Sequence, residues 1–192
     1  WRTMPFPFDT TAYRLRSQRR VIFAKNGMVC SSQPLAAQAG LDVLRRGGNA
    51  VDAAVATAAA LTVVEPTSNG VGGDAFAQIW MDGRLYGLNS SGPAPALADA
   101  DFLRERFGKV PAQGWYGVNV PGIPAAWAEA SRRFGRLPFA ELFTSAISYA
   151  EDGYPVGPVV SRLWADDYAT FRPLRGETEI APWFDTFTVD GK

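Results

Sequence analysis

RGGNAVDAAVATAAALTVVEPTSNGVGGDAF, residues 46–76, is the stretch whose reading decides the fold. Asn49 is a strong N-cap residue. Asp52, three positions on, stands where a carboxylate meets a helix's orphan N–H groups and positive end. From residue 50 to residue 64 nearly every side chain is Ala, Val, Leu or Thr. The predicted helix therefore has no polar face and belongs inside a protein. Its alanines allow close backbone approach, which predicts flat packing against a sheet. Pro66 stops the helix, because proline restricts the residue before it and cannot continue the hydrogen-bond ladder. Gly70, Gly72 and Gly73 then offer backbone angles that other residues resist.

Residues 70–75 formally match G-x-G-x-x-A, the dinucleotide-binding fingerprint. That pattern carries meaning only after a strand and before a helix, where the pyrophosphate meets a helix N-terminus. Here a helix comes first, and residues 75–80 follow with strand-like alternation. The stretch reads as a tight helix-to-strand turn, and a nucleotide-binding module ranks third among the functional readings.

Outward from this core, residues 21–24 and 28–30 read as two short strands joined by a tight turn at Asn26-Gly27. A helix is expected over residues 34–46, capped by Ser31 or Ser32 and closed by Gly47-Gly48. Strands are expected at 75–81 and 84–89, with Asp82-Gly83 as the hairpin turn. A short helix at 101–107 follows a Pro/Ala/Gly loop, and residues 118–120 read as a strand. Helices are expected at 123–134, 138–152 and 158–171, with Gly135 and Gly153 at C′ positions. After Arg172 the chain reads as irregular, ending in half of a hairpin. Strands followed by runs of helices argue α+β, with no internal domain boundary across residues 1–192.

The chain has 192 residues, of which 47% are apolar and 20% charged, with a formal net charge of zero. This is a globular composition, with no electrostatic case for nucleic acid or an anionic membrane. The apolar run within residues 53–64 is far short of the roughly 20 residues that span a bilayer. One cysteine, Cys30, and no histidine are present. An internal disulfide is thereby excluded, as is a Ser-His-Asp or Cys-His arrangement built from this chain alone. Cys30, inside an expected strand, reads as a small core residue. The single cysteine points to a cytoplasmic location; a removed leader would make it periplasmic or secreted. The basic cluster Arg14, Arg16, Arg19 and Arg20 reads as a solvated face, with an anion site as the alternative.

Taken together, Gly27-Met28-Val29, SSQPLAAQAGLDVLRRGGNAVDAA from residue 31, VEPTSNGVGGDAF from residue 64, APAL at 94–97, VNVPGIPAAW from residue 118 and RFGRLPFAELFTSAISYAEDGYPV from residue 133 resemble the gamma-glutamyltranspeptidase family. The resemblance is to the N-terminal part of the large subunit of these self-cleaving N-terminal nucleophile hydrolases. It implies a four-layer αββα sandwich of which this chain holds a portion. It also implies a nucleophilic threonine whose own α-amine serves as base, at the start of a small subunit. No catalytic residue of that kind is expected in this chain. Thr10 and Thr11 are not terminal and read as loop residues.

In the family, as the resemblance implies, a large-subunit arginine clamps the substrate's α-carboxylate three residues before the APA element. A guanidinium fork suits a carboxylate. Ser91 stands at that position here, so Ser91 with Ser90 and Asn89 are the candidate substrate-binding residues. Gln33 and the Gly73-Asp74 pair resemble the cephalosporin-acylase-like branch. Asp74 reads as a carboxylate taking backbone N–H bonds in the glycine turn. Glu65 reads as a structural hydrogen-bonding carboxylate rather than a catalytic one.

The expected activity is an amidohydrolase or acyltransferase for gamma-glutamyl or related acyl-amide substrates, with no cofactor. The partners expected are the small subunit and a homodimer of such heterodimers. The alternative is a noncatalytic scaffolding subunit.

Overall fold

The computed structural model describes residues 22–190. The basic cluster at Arg14–Arg20 and the pair Thr10-Thr11 lie outside that range. Within it the molecule is mostly helical with one two-stranded hairpin. In chain order the elements are α1 (Pro34–Arg45), α2 (Ala50–Val64), β1 (Ala75–Met81), β2 (Arg84–Ser90), α3 (Ala100–Phe107), α4 (Ile123–Phe134), α5 (Thr144–Asp152), α6 (Pro158–Phe171) and α7 (Ala181–Phe187). Short 3-10 turns stand at Trp115–Gly117, Phe139–Phe143 and Arg172–Leu174. Among the described residues no helix is long and apolar enough to cross a membrane.

α2 is the hub. Its N-terminus forms a capping box: Asn49 Oδ1 accepts from the amides of Val51 and Asp52, and Asp52 Oδ2 accepts from the Asn49 amide. One end of the helix packs with Val43, Ala130 and Leu142, drawn from α1, α4 and the 139–143 turn. The other end packs Ala59, Ala60 and Val64 against Ala36 and Ala39 of α1 and Ala146 of α5. Trp127 and Phe143 border both clusters and join them. Its chief neighbours are therefore helices, not the sheet that its alanines predicted; the hairpin packs mainly on α4. The small side chains serve helix–helix approach instead. At Gly40 of α1 an added Cβ would lie 2.3 Å from Thr57 Oγ1 and 3.0 Å from the Ala53 carbonyl oxygen.

Asp52 does more than cap its helix. It is fully buried, and its carboxylate also accepts the amides of Arg136 (3.0 Å) and Leu137 (3.4 Å) beyond α4. Gly135 makes room for this, since a Cβ there would sit 2.7 Å from Asp52 Oδ1. It does so with φ −70°, so steric access rather than a left-handed helix terminus demands the glycine. Asn49 Nδ2 donates to the Phe134 carbonyl, and Arg46 donates to the Glu141 carbonyl (3.2 Å).

The hairpin pairs Ala75 with Ser90 through Met81 with Arg84, antiparallel. Asp82 and Gly83 both have positive φ (52° and 77°), the requirement of the tight turn their sequence announced. Elsewhere the structure corrects the sequence reading. Residues 22–30 form no hairpin, so Cys30 is exposed rather than in a core. Residues 118–120 run extended but join no sheet. The cap of α1 is Gln33, whose Oε1 accepts from the Leu35 and Ala36 amides, instead of Ser31 or Ser32. The helix expected over 138–152 divides into the 3-10 turn and α5.

Past Arg172 the chain is not irregular: α7 forms with Pro182 in its first turn, where a missing N–H costs nothing. It stacks Trp183 on Phe171 of α6 (4.9 Å between ring centres), and Trp164 Nε1 donates to the Phe187 carbonyl (2.8 Å). Val189 lies beyond α7 in no strand.

Asp52→Ala is expected to leave the amides of Asn49, Arg136 and Leu137 buried without an acceptor, costing about 3–4 kcal/mol. A lowered urea midpoint at unchanged m-value measures it; a shift worth under about 1 kcal/mol would refute the role.

Candidate functional site

The glycine turn before β1, the loop after β2 and the segment before α4 meet at one end of the hairpin. The Gly73 carbonyl accepts the amides of Gly122 (3.0 Å) and Ile123 (3.2 Å), and the Pro93 carbonyl accepts the Val120 amide (3.1 Å). Ser90 Oγ donates to the Gly122 carbonyl at 2.8 Å. Backbones approach too closely here for side chains. A Cβ on Gly92 would lie 1.8 Å from the Val120 carbonyl oxygen, and one on Gly122 would lie 1.9 Å from that of Ser90. Gly92 also has φ 73°, which glycine adopts at least cost.

The three candidate residues are contiguous and ordered by this knot. Asn89 Oδ1 accepts the Ser91 amide (3.0 Å), a local turn in which the asparagine side chain replaces a backbone acceptor. Ser90 is spoken for by Gly122. Ser91 is half-buried and its carbonyl accepts from Asn119 Nδ2 at 2.6 Å. The same Asn119 amide group donates to Asp74 Oδ1 at 2.7 Å. Asp74 thus meets a side-chain amide from another loop, not the backbone N–H groups of its own turn, because the turn opens toward residues 118–122. Sequence reasoning missed Asn119 as the link; its one signal was a lone polar residue inside Val118-Asn119-Val120-Pro121.

Neither Gly70, Gly72 nor Gly73 has a positive φ of the left-handed kind, and at Gly70 and Gly72 an added Cβ would meet nothing within 4 Å. β1 follows the turn, so the arrangement is a helix-to-strand connection and offers no helix N-terminus for a pyrophosphate. Under the turn lies a cleft of about 340 Å³ lined by Thr62, Ser68, Asn69, Asp74, Ile123 and Trp127, among others; Ser90 and Ser91 do not line it. Glu65 caps the end of α2: its carbonyl accepts the Ser68 and Asn69 amides, and its carboxylate accepts from Ser32 Oγ. The Ser32 contact gives the Glu65 carboxylate a hydrogen-bonding partner. Behind Pro66, a recess of about 50 Å³ holds Thr67, Trp164 and Asp167, too small for a substrate. Burial lifts the Asp167 carboxyl above its usual range, and neighbouring Asp166 adds to the shift.

What the knot offers chemically is a rigid, polar platform: two hydroxyls, two side-chain amides and one carboxylate.

The family profile described as gamma-glutamyltranspeptidase matches residues 36–192. The chain is 39% identical over 163 residues to the Acylase ACY 1 proenzyme of Pseudomonas sp. (strain V22), covering 79% of this chain and 29% of that protein. It is 36% identical over 162 residues to the glutathione hydrolase proenzyme of Pseudomonas aeruginosa, covering 82% and 28%. Among solved structures, cephalosporin acylase from Bacillus halodurans aligns with a TM-score of 0.84 at 50% identity, over 93% of this chain and 34% of that one. The gamma-glutamyltranspeptidase of Helicobacter pylori aligns at 0.77 and 30% identity, over 86% and 48%. The chain therefore spans less than a third of the length of these curated relatives.

Asn119→Ala is expected to loosen the knot, raising amide exchange several-fold at residues 89–93 while leaving α2 unchanged. Asn119→Asp removes both donated hydrogen bonds and sets a second carboxylate against Asp74, so its effect should be larger than that of Asn119→Ala. Equal exchange in all three proteins would show that Asn119 does not hold the loops.

Proposed function

We propose, since this chain belongs to the gamma-glutamyltranspeptidase family, that it is a large-subunit portion of a self-processing amidohydrolase or acyltransferase. The reaction is acyl transfer from an amide through an acyl-enzyme on a threonine. That threonine begins the small subunit, and its α-amine acts as the base, so the chemistry requires no histidine. The present chain supplies the substrate-side platform and part of an αββα sandwich. The small subunit is the partner, and pairing of two such heterodimers is the assembly in keeping with this reading.

The observation that carries the reading is the conjunction of family membership with the knotted strand end at Asn89–Ser91. Loops fixed to a rigid scaffold at a strand end are where binding residues stand. Within this loop the position that would carry a carboxylate-clamping arginine is Ser91, which donates one hydrogen bond and no charge. We therefore assign the substrate preference to acyl amides over gamma-glutamyl amides, in line with the acylase names among the relatives. A scaffolding subunit without turnover is the second reading, favoured by a serine, Ser91, at the position of the family's carboxylate-clamping arginine. Mass spectrometry of the complete protein separates the two: a processed polypeptide beginning with threonine supports the enzyme, and an unprocessed, inactive chain supports the scaffold. The 1–192 polypeptide alone is expected to hydrolyse no amide, and turnover by rigorously purified material would overturn the assignment of the nucleophile elsewhere.

Ser91→Arg in the complete enzyme should improve gamma-glutamyl amides relative to simple acyl amides. A charge-assisted bidentate contact is worth about 1.5–3 kcal/mol, or roughly ten- to a hundredfold in affinity. The gain should fall mainly in KM if the clamp holds substrate and transition state alike. An unchanged preference in steady-state kinetics on the two substrate types would mean that Ser91 does not face the acyl pocket.

A further inference from the structure

The cleft of about 340 Å³ under the glycine turn draws its walls from residues 58–75 and from α4. Neither residues 47–83 nor residues 110–131 contain a single Lys or Arg. The polar side chains of the cleft also turn their hydrogens away from it. Thr62 Oγ1 donates its only hydrogen to the Ala59 carbonyl (2.8 Å), which leaves the oxygen's lone pairs. Asn69 Nδ2 donates to the Glu65 carbonyl (3.3 Å), and Asn69 Oδ1 receives no donor among the described residues. Asp74 accepts from Asn119 through Oδ1, while its Oδ2 has no hydrogen-bond or ion-pair partner among the described residues. The Ser68 hydroxyl is the one side-chain donor free to rotate toward the cleft.

Two further features favour positive charge there. α2 ends at Val64 beside the cleft, and the C-terminus of a helix is the negative end of its dipole. Trp127 lines the cleft as well, and an indole face attracts a cation. Acceptors, one carboxylate and an aromatic ring suit a group that is donor throughout. A primary ammonium is such a group, with three N–H and no acceptor. A carboxylate or phosphate would meet no cation in these walls. A guanidinium prefers both oxygens of a carboxylate, and Asn119 already holds one of them. A divalent cation would need several carboxylates, and the described residues contain no cluster of three such ligands.

We propose that this cleft binds a primary ammonium group of the amide substrate, with Asp74 as its counter-ion and Asn69 and Thr62 as acceptors. The assignment to the substrate rests on the reading of the chain as part of an acyl-amide enzyme; the affinity for an ammonium does not. Its position suits that role. The β1–β2 ladder ends at Ala75 and Ser90, so Asp74 stands one step beyond it, beside Ser91. The Asn119 amide bridges the Asp74 carboxylate and the Ser91 carbonyl. An ammonium on Asp74 is thereby held next to the candidate substrate loop and outside it.

Calorimetry on the complete, processed protein tests the binding with 4-aminobutyramide and its uncharged match, 4-hydroxybutyramide. The amine is expected to bind about tenfold more tightly or better, as befits hydrogen bonds to a charged group. Because Asp74 is exposed, this preference should shrink several-fold between about 50 mM and about 500 mM NaCl. Asp74→Asn keeps an acceptor for Asn119 and should abolish the preference. Ser68→Asp, at an exposed position, adds a second carboxylate and should strengthen it several-fold, a gain that a merely structural role for these residues would not produce. In kinetics, the kcat/KM ratio of 4-aminobutyryl to butyryl p-nitroanilide should exceed one and fall to about one in Asp74→Asn.

Equal binding of the two amides, or a preference indifferent to both variants, would overturn the subsite; with amide turnover retained, it would spare the functional reading. Selective ammonium binding without turnover of either anilide would support the subsite and overturn that reading. Selective binding with a kinetic ratio of one would overturn the assignment to the substrate. Binding that appears only after deletion of residues 1–21 would mean that the chain's own arginines fill the cleft, and would overturn the proposal as well.

Discussion

The buried carboxylate of Asp52 ties the start of α2 to the turn after α4. It closes the capping box at the start of α2 and, from the same two oxygens, accepts amides from the turn after α4. A buried carboxylate is costly unless its lone pairs are filled, and three backbone donors fill them here. Two of those donors, the amides of Arg136 and Leu137, lie 84 and 85 residues from their acceptor in sequence. Around this contact Arg46 reaches the 139–143 turn and Asn49 reaches the end of α4. The apolar clusters on either end of α2 then supply most of the burial. The polar contacts fix where along its axis a nearly featureless alanine helix must stop.

The loops at the open end of the hairpin depend on that framework at one remove. α4, positioned by Asp52 and by Trp127, begins immediately after the segment that receives the Gly73, Ser90 and Pro93 contacts. Because these are mostly backbone bonds at close approach, the platform is stiff without being built from bulky side chains. A loop of this construction leaves few side-chain atoms free, and a change at one side chain alters what it presents without rebuilding the scaffold.

How much of this was legible depends on whether the deciding contacts were local. The extent of α2 and its capping box, the Asp82-Gly83 hairpin, α4 and α6 follow from periodicity, caps and turn chemistry within a few residues of one another. Residues 22–30 carry strand-like side chains and a turn dipeptide, yet strands need partners, and the described residues provide none. Residues 118–120 fail as a strand for the same reason, being held instead by loop contacts to Pro93 and Ser91.

α7 lies in the stretch after Arg172 read as irregular, although its Pro182 fits a helix's first turn. The packing of α2 on helices was misread because small side chains suit a sheet and a helix equally. That Asn89, Ser90 and Ser91 stand where a strand gives way to a loop was legible from the strand pattern and the Pro/Ala/Gly stretch that follows. The Asn119 bridge was not, since no sequence pattern pairs residues 28 and 45 positions apart.

Gly70 and Gly72 have a different lesson. In the folded chain neither takes a left-handed angle, and neither is crowded by any neighbour, so nothing in this chain's own sterics reserves those positions for glycine. Alanine at either place should leave the fold of this polypeptide intact. The turn is consequently a clean discriminator between two kinds of requirement. A Gly72→Ala protein that unfolds as before but loses an activity or an association locates the need for glycine in whatever approaches the turn from outside.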